Sequence, residues 1–224
     1  MIILKILIVS KNIVNTTMFF LFYSIISIGD FMGNLIIISG PSGVGKGTII
    51  NRIKEKYKNN NKKLYVSVSY TTRNPRDGEI NGRDYYFISV QEFKELINNN
   101  GLLEYNEYGT GKYYGTPRDI IFNYLDNDYD VILEIDVNGY KKIKELGIEH
   151  RSVFVAPSSI GVLESRLRKR NSEDEENLKK RIKEAFNELN YMNLYDDIVF
   201  NEDGKLEEAV DEVYELMNSK KYIK

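Results

Sequence analysis

From Leu35 onward the chain settles into a regular exchange of short apolar runs and amphipathic stretches. LIIIS (35–39) is a β-branched run ending in glycines, and TIINRIKEKY (48–57) follows with Ile49, Ile50, Ile53 and Tyr57 on one helical face, which predicts strand, loop, helix. LYVSVS (64–69) and DYYFISV (84–90) each predict a strand. Ser89 with Glu92 forms a capping box that opens a helix carrying Phe93, Leu96 and Ile97 and stopping near Gly101. The segment 105–119, rich in glycine and tyrosine, predicts turns between short strands, with a helix starting near Pro117.

DVILEID (130–136), RSVFVAP (151–157) and DDIVFN (196–201) predict three further strands, separated by helical patterns. SIGVLESRLRKRN reads as helix, Ser172 with Glu175 as a second capping box opening a long helix, and the last helix carries Leu206, Val210, Val213 and Met217. Strands that alternate with helices imply an α/β fold, a parallel sheet covered on both faces. Residues 67–116 break the rhythm with the turn density of a small mixed β insertion, and the arginine-rich stretch 161–185 is a second, helical excursion. The expected organisation is a core of 34–66, 117–160 and 186–218 bearing both, within a domain of 34–218.

Residues 1–33 differ from the rest, with IILKILIV and MFFLFYSIISI separated by polar residues and Asp30 as their single acidic group. Neither run reaches the roughly 18 to 20 residues of a spanning helix, and no small-residue cleavage pattern stands out. The segment is expected to be an extension upstream of the domain, with Met32 opening it, rather than a leader or anchor. Charged residues make up 29% of the 224 and apolar ones 42%, and the formal charge is −2, so no overall field favours a nucleic-acid polymer and any basic site must be local. The absence of cysteine removes disulfides, thiolate nucleophiles and zinc-thiolate sites. His150, the only histidine, precedes an apolar run and reads as a strand-edge residue without catalytic partners.

GPSGVGKG (40–47) matches the Gly-x-x-x-x-Gly-Lys part of the phosphate-loop pattern, after a strand and at a helix start. Glycines let backbone amides of Gly40, Pro41, Ser42, Gly43, Val44, Gly45, Lys46 and Gly47 wrap phosphate oxygens as far as each residue has an N–H. The helix N-terminus adds its dipole and Lys46 a charge for the β and γ phosphates. Glycine stands at 47 where the pattern has serine or threonine, which defers the magnesium-side hydroxyl to Thr48. A GTPase reading finds Asp-x-x-Gly at Asp136 to Gly139 but no Asn-Lys-x-Asp base-reading motif downstream.

SYTTRNPRDGEINGRDYYF (69–87) places three arginines and three tyrosines in nineteen residues. If Lys46 holds a donor nucleotide, a kinase must also neutralise the acceptor, and paired arginine forks with a phenolic hydroxyl suit an acceptor phosphate. With GPSGVGKGT, this stretch, LLEYNEYGTGKYYGTP, VILEIDVNG and RLRKRN, the chain resembles guanylate kinases over roughly 34–218. The resemblance implies that Ser69, Arg73, Arg76, Tyr85 and Tyr114 hold the GMP phosphate and that Glu104, Thr116 and Asp136 read the guanine. It also implies that Glu134 lies near magnesium, that Arg166, Arg170 and Arg181 form a lid over ATP, and that Asn201 lies beside the donor adenine. Two apart on an expected strand, Glu134 and Asp136 would face one side, and Arg166 and Arg170 would share a helical face, with Arg168 off it and solvated. Asn138 stands where the family commonly has glutamine, and Asn171 where it commonly has glycine.

The implied activity is transfer of the γ-phosphoryl group of Mg-ATP to GMP, and to dGMP, with Mg2+ accompanying the nucleotide and Lys46, Arg73, Arg166, Arg170, Arg181 and Glu134 catalytic. A monomer or homodimer in the cytoplasm, acting on small molecules without nucleic-acid or stable membrane association, is expected. The alternative is a noncatalytic guanylate-kinase-like interaction module, which the intact Lys46 and lid arginines oppose. Another nucleoside monophosphate kinase is opposed by Glu104 and Asp136 together.

Overall fold

The computed structural model describes residues 33–109, 111–169 and 175–219, all within the unit Phe31–Lys224. Five parallel strands form the central sheet: β1 Leu35–Ser39, β2 Leu64–Val66, β7 Asp130–Glu134, β8 Arg151–Pro157 and β9 Asp197–Asn201, in the order β2-β7-β1-β8-β9. A second, four-stranded mixed sheet holds β3 Tyr70–Thr71, β4 Tyr86–Phe87, β5 Leu102–Tyr108 and β6 Lys112–Pro117 in the order β4-β3-β6-β5. The described helices are α1 Lys46–Asn59, α2 Val90–Asn98, α3 Arg118–Asp126, α4 Val137–Glu145, α5 Ile160–Lys169, α6 Glu175–Leu189 and α7 Leu206–Asn218, with a 3₁₀ turn at Met192–Leu194.

Every residue of β1 is buried because helices cover both sheet faces, which is why its sequence is continuously apolar rather than alternating. Ile36 and Ile38 join Ile49, Ile53, Val210 and Val213 from α1 and α7 on one face. Leu35 and Ile37 join Ile121, Leu125, Tyr140 and Ile143 from α3 and α4 on the other. Ile49, Ile50, Ile53 and Tyr57 are all buried, as their 3.6-residue spacing predicts, each isoleucine contributing about 1.5–3 kcal/mol of apolar burial. Tyr57 remains tolerable inside because its hydroxyl donates to Asp130 at 2.8 Å. The Ser89–Glu92 capping box is formed, with the Ser89 hydroxyl accepting from the Glu92 amide and the Glu92 carboxylate accepting from the Ser89 amide. His150 lies just before β8, its Nδ1 2.7 Å from the Ile148 carbonyl and its ring edge-on to Tyr140.

Three expectations need correction. LYVSVS is strand only over Leu64–Val66, its pairing with β7 ending at a Ser67 amide bond to the Ile132 carbonyl although β7 runs on to Glu134, and DYYFISV only over Tyr86–Phe87, where its partner β3 ends at Thr71, with Tyr85 in an isolated bridge to Asn81. β7 ends at Glu134 and Asp136 is already the N-cap of α4, so strand alternation does not relate the two carboxylates. Arg168 lies off the Arg166 position but is not simply solvated: it donates to Glu164 and Glu175 at 2.8–3.1 Å. Arg170, Asn171, Ser172 and residues 1–32 lie outside the described residues. Among the described residues no helix is long and apolar enough to cross a membrane.

Candidate active site

The phosphate loop runs from the end of β1 into α1 at the C-terminal edge of the central sheet, where open α/β folds place ligands. Its backbone needs glycine for two different reasons at its two ends. Gly40 has φ +145° and a Cβ there would lie 2.2 Å from the Val155 carbonyl oxygen; Gly45 has φ +103° and a Cβ would lie 2.5 Å from Asn201 Nδ2. Lys46, the first residue of α1, folds back so that Nζ donates to the Gly40 carbonyl at 2.6 Å and to that of Pro41 at 3.3 Å. Thr48 is exposed in the first turn, and Gly47 has open space where a side chain would stand. Ser42 accepts a hydrogen bond from Arg181 Nη2 at 2.6 Å, which ties the middle of α6 to the loop.

Arg166, on α5, donates from Nη1 to the Val44 carbonyl at 3.1 Å and from Nη2 to the Asn201 carbonyl at 3.1 Å, and pairs with Asp203 at 2.6 Å. Asn201, buried at the end of β9, donates to Val44 at 2.8 Å. Gly43, Gly45, Thr48, Arg166, Asn201 and the 202–206 turn line a cavity of about 360 Å³ beside α1. Glu134 closes β7 exposed, in register with Ile38 of β1, and so stands next to the strand that feeds the loop.

The second sheet assembles the arginine-tyrosine group. Arg73 Nε donates to the Tyr114 hydroxyl at 3.1 Å, and the Arg73 guanidinium carbon lies 4.9 Å from the Tyr85 ring centroid and 5.5 Å from that of Phe87. Tyr85 and Tyr114 meet edge to face, and burial pushes the Tyr85 hydroxyl up from its ordinary range. Ser69 sits half-buried just before β3, and its carbonyl accepts the Tyr86 amide. Arg76 is exposed, its backbone amide donating to Glu79 at 2.7 Å. Arg83 pairs with Asp84 and bonds the Gly78 carbonyl, a bracing role within the loop between β3 and β4.

Glu104, on β5, is 7% exposed, and Thr116, directly opposite on β6, donates to its Oε1 at 2.6 Å. Burial first, and the neighbouring Asp136 carboxylate in the same direction, push Glu104 up to about 7. It is held against the start of α4: a Cβ on Gly139 would lie 3.0 Å from Glu104 Oε2. Asp136 caps that helix, Oδ1 accepting from the Gly139 amide at 2.8 Å and Oδ2 from the Tyr108 hydroxyl, and burial raises its pKa. The local Asp-x-x-Gly match is therefore a helix cap. Lys142, one turn along α4, bonds the Tyr105 carbonyl and Asn106 Oδ1 and so straps β5 to α4.

Two carboxylates escape motif reading. Glu79 makes the tightest contacts of Arg73, at 2.6 and 2.7 Å. Glu188 on α6 is pushed up to about 7 by burial against the opposing pull of Lys46, with Asp136 raising it further. The only sequence signal for Glu79 is its place in an arginine-bearing turn; Glu188 lies in an ordinary amphipathic helix and gives none.

A phosphate loop and its lysine on a parallel sheet, faced by arginines from helices packed on it and joined to a sheet that carries a second arginine cluster, define a P-loop phosphotransferase. The guanylate kinase family profile matches residues 32–220, and the chain belongs to that family. It is 44% identical over 189 residues to the guanylate kinase of Clostridium tetani, covering 84% of this chain and 87% of that protein. To the guanylate kinase of Lactobacillus acidophilus it is 45% identical, covering 84% and 89%. The crystal structure of the Anaplasma phagocytophilum guanylate kinase superposes with a TM-score of 0.65 at 31% identity, covering 83% of this chain and 85% of that one.

Proposed function

We propose that this chain is an ATP-dependent GMP kinase that carries out the transfer with the residues assembled above. The observation that carries the acceptor assignment is Glu104, a buried carboxylate held by Thr116 beside Asp136 and on the same small sheet as the Arg73–Tyr114 pair. Guanine offers N1–H and N2–H2 donors that a carboxylate accepts, whereas adenine turns an unprotonated N1 toward it. Glu104, Thr116 and Asp136 read the base, while Ser69, Arg73, Arg76, Tyr85 and Tyr114 hold the phosphate.

On the donor side, the amides of the 40–47 loop and Lys46 hold the ATP phosphates, and Asn201 lies at the cavity that takes the adenine. Magnesium bound with ATP supplies charge neutralisation at the β and γ phosphates. Thr48 and Glu134 provide oxygen donors suited to it, the few that Mg2+ takes when substrate phosphates complete its shell. A GMP phosphate oxygen attacks the γ phosphorus in line; its bond forms as the bond to the β,γ-bridging oxygen breaks, leaving GDP and ADP. Arg166, Arg181 and, outside the described residues, Arg170 neutralise the moving group, and closure over both nucleotides excludes water. A cytoplasmic location, where ATP and GMP are both supplied, is part of the same proposal.

The test is a coupled ADP-release assay with ATP, magnesium and, in turn, GMP, dGMP, AMP and UMP. GMP should be phosphorylated at least a hundredfold more efficiently than AMP or UMP. Equal rates with AMP, or no turnover with GMP, would refute the reading.

A further inference from the structure

The Arg73 guanidinium carries five N–H bonds, and the protein uses four of them. Nη1 donates to Glu79 Oε2 at 2.6 Å and to the Asn74 carbonyl at 2.9 Å, Nη2 donates to Glu79 Oε1 at 2.7 Å, and Nε donates to the Tyr114 hydroxyl at 3.1 Å. The end of the fork is thus closed by a bidentate carboxylate, and the remaining N–H lies on the edge that Nη2 shares with Nε. That edge points toward Tyr114. The same Glu79 carboxylate accepts the Arg76 backbone amide at 2.7 Å, so one side chain anchors both Arg73 and Arg76. The pair is sheltered, with the side chains of Arg73 and Glu79 10% and 20% exposed, and Arg73 keeps the Glu79 carboxyl ionised, down at about 2.

We propose that Glu79 is a positioning residue for the acceptor phosphate: by closing the end of the Arg73 fork it presents the Nε/Nη2 edge, together with Tyr114, to a phosphate monoester. This rests on the reading that GMP is the acceptor. The physical gain is pre-organisation. An arginine that is already ordered loses less conformational freedom when a ligand arrives. The opposite role, an internal anion that competes with the phosphate for Arg73, predicts the opposite sign. The edge geometry argues against competition, because Glu79 occupies the end of the fork and leaves the remaining Nη2 N–H of the side edge to the ligand, beside a Tyr114 hydroxyl that accepts from Nε and keeps its own proton to donate.

The experiment is Glu79→Gln in the full chain, with steady-state kinetics for both substrates and inhibition by guanosine, which has the base without the phosphate. Glutamine offers one acceptor where two N–H bonds need acceptors, so the strap loosens. GMP KM should rise about tenfold, with kcat within about threefold and ATP KM unchanged. The guanosine inhibition constant should stay within about twofold. In an Arg73→Lys background the same substitution should change GMP KM less than twofold, because the fork it positions is gone. A lower or unchanged GMP KM in Glu79→Gln, a parallel loss of guanosine binding, or full additivity with Arg73→Lys would each overturn the inference. A wild-type chain that does not phosphorylate GMP would instead overturn the acceptor reading itself.

Discussion

Replacing Glu104 with glutamine should stabilise the nucleotide-free protein at alkaline pH while impairing its use of GMP. Glu104 is almost fully buried and is pushed from 4.5 up to about 7 by that burial. The folded state therefore binds its proton more tightly than the unfolded chain, and the associated stability is complete below about pH 4.5 and lost as pH rises through about 7. Linkage places the cost of the ionised side chain at about 3 kcal/mol at pH 8 and about 1 kcal/mol at pH 5. Glutamine keeps the shape and an acceptor for the Thr116 hydroxyl but cannot ionise.

The stability difference between variant and wild type should therefore shrink by about 2.5 kcal/mol from pH 8 to pH 5, however well the amide packs, since packing contributes equally at both. Urea denaturation of both proteins without nucleotide measures it. A difference that stays constant within 0.5 kcal/mol, roughly the reproducibility of such a comparison, would refute the claim that Glu104 is held ionised at a cost. In the kinase assay the same variant presents an N–H2 group to one of guanine's donors, and GMP KM should rise about 10- to 100-fold.

Three further outcomes follow from the same geometry. Wild-type GMP KM should rise about tenfold per pH unit below pH 7, as Glu104 takes up a proton and ceases to accept from guanine, while ATP KM stays flat in parallel titrations. Lys46→Ala should lower kcat by at least about 10²-fold with little change in melting temperature, because its described hydrogen bonds are to loop carbonyls rather than to the core; retained turnover would remove Lys46 from the mechanism. Gly139→Ala adds a helix-favouring residue worth up to about 1 kcal/mol to α4, yet its Cβ would press on Glu104 Oε2 at 3.0 Å. Calorimetry should show no loss of stability and kinetics a raised GMP KM.

How much could be read from the chain depended on how local each feature is. The phosphate loop was legible because its parts are contiguous: a buried strand, glycines at positive φ and a lysine opening a helix all lie within about a dozen residues and need no distant partner. The same holds for the Ser89–Glu92 cap and for the buried stripe of α1, whose spacing alone selects a face. Strand extent was not local. LYVSVS and DYYFISV have strand composition throughout, but a residue counts as strand only where another strand pairs with it, and the pairing stops after three residues in one case and two in the other.

The α/β class, a covered parallel sheet and a chemistry of phosphate followed from the amino-acid sequence by itself, because apolar periodicity and backbone permissiveness are properties of short segments. Only the tertiary structure decided which charges meet. Glu104 is a costly buried carboxylate because Thr116 and the start of α4 close around it, Glu188 matters because α6 carries it toward Lys46, and Arg73 has a directed edge because Glu79 occupies the other. Electrostatic roles depend on burial and on separations of a few ångströms, and a chain records neither until it has folded.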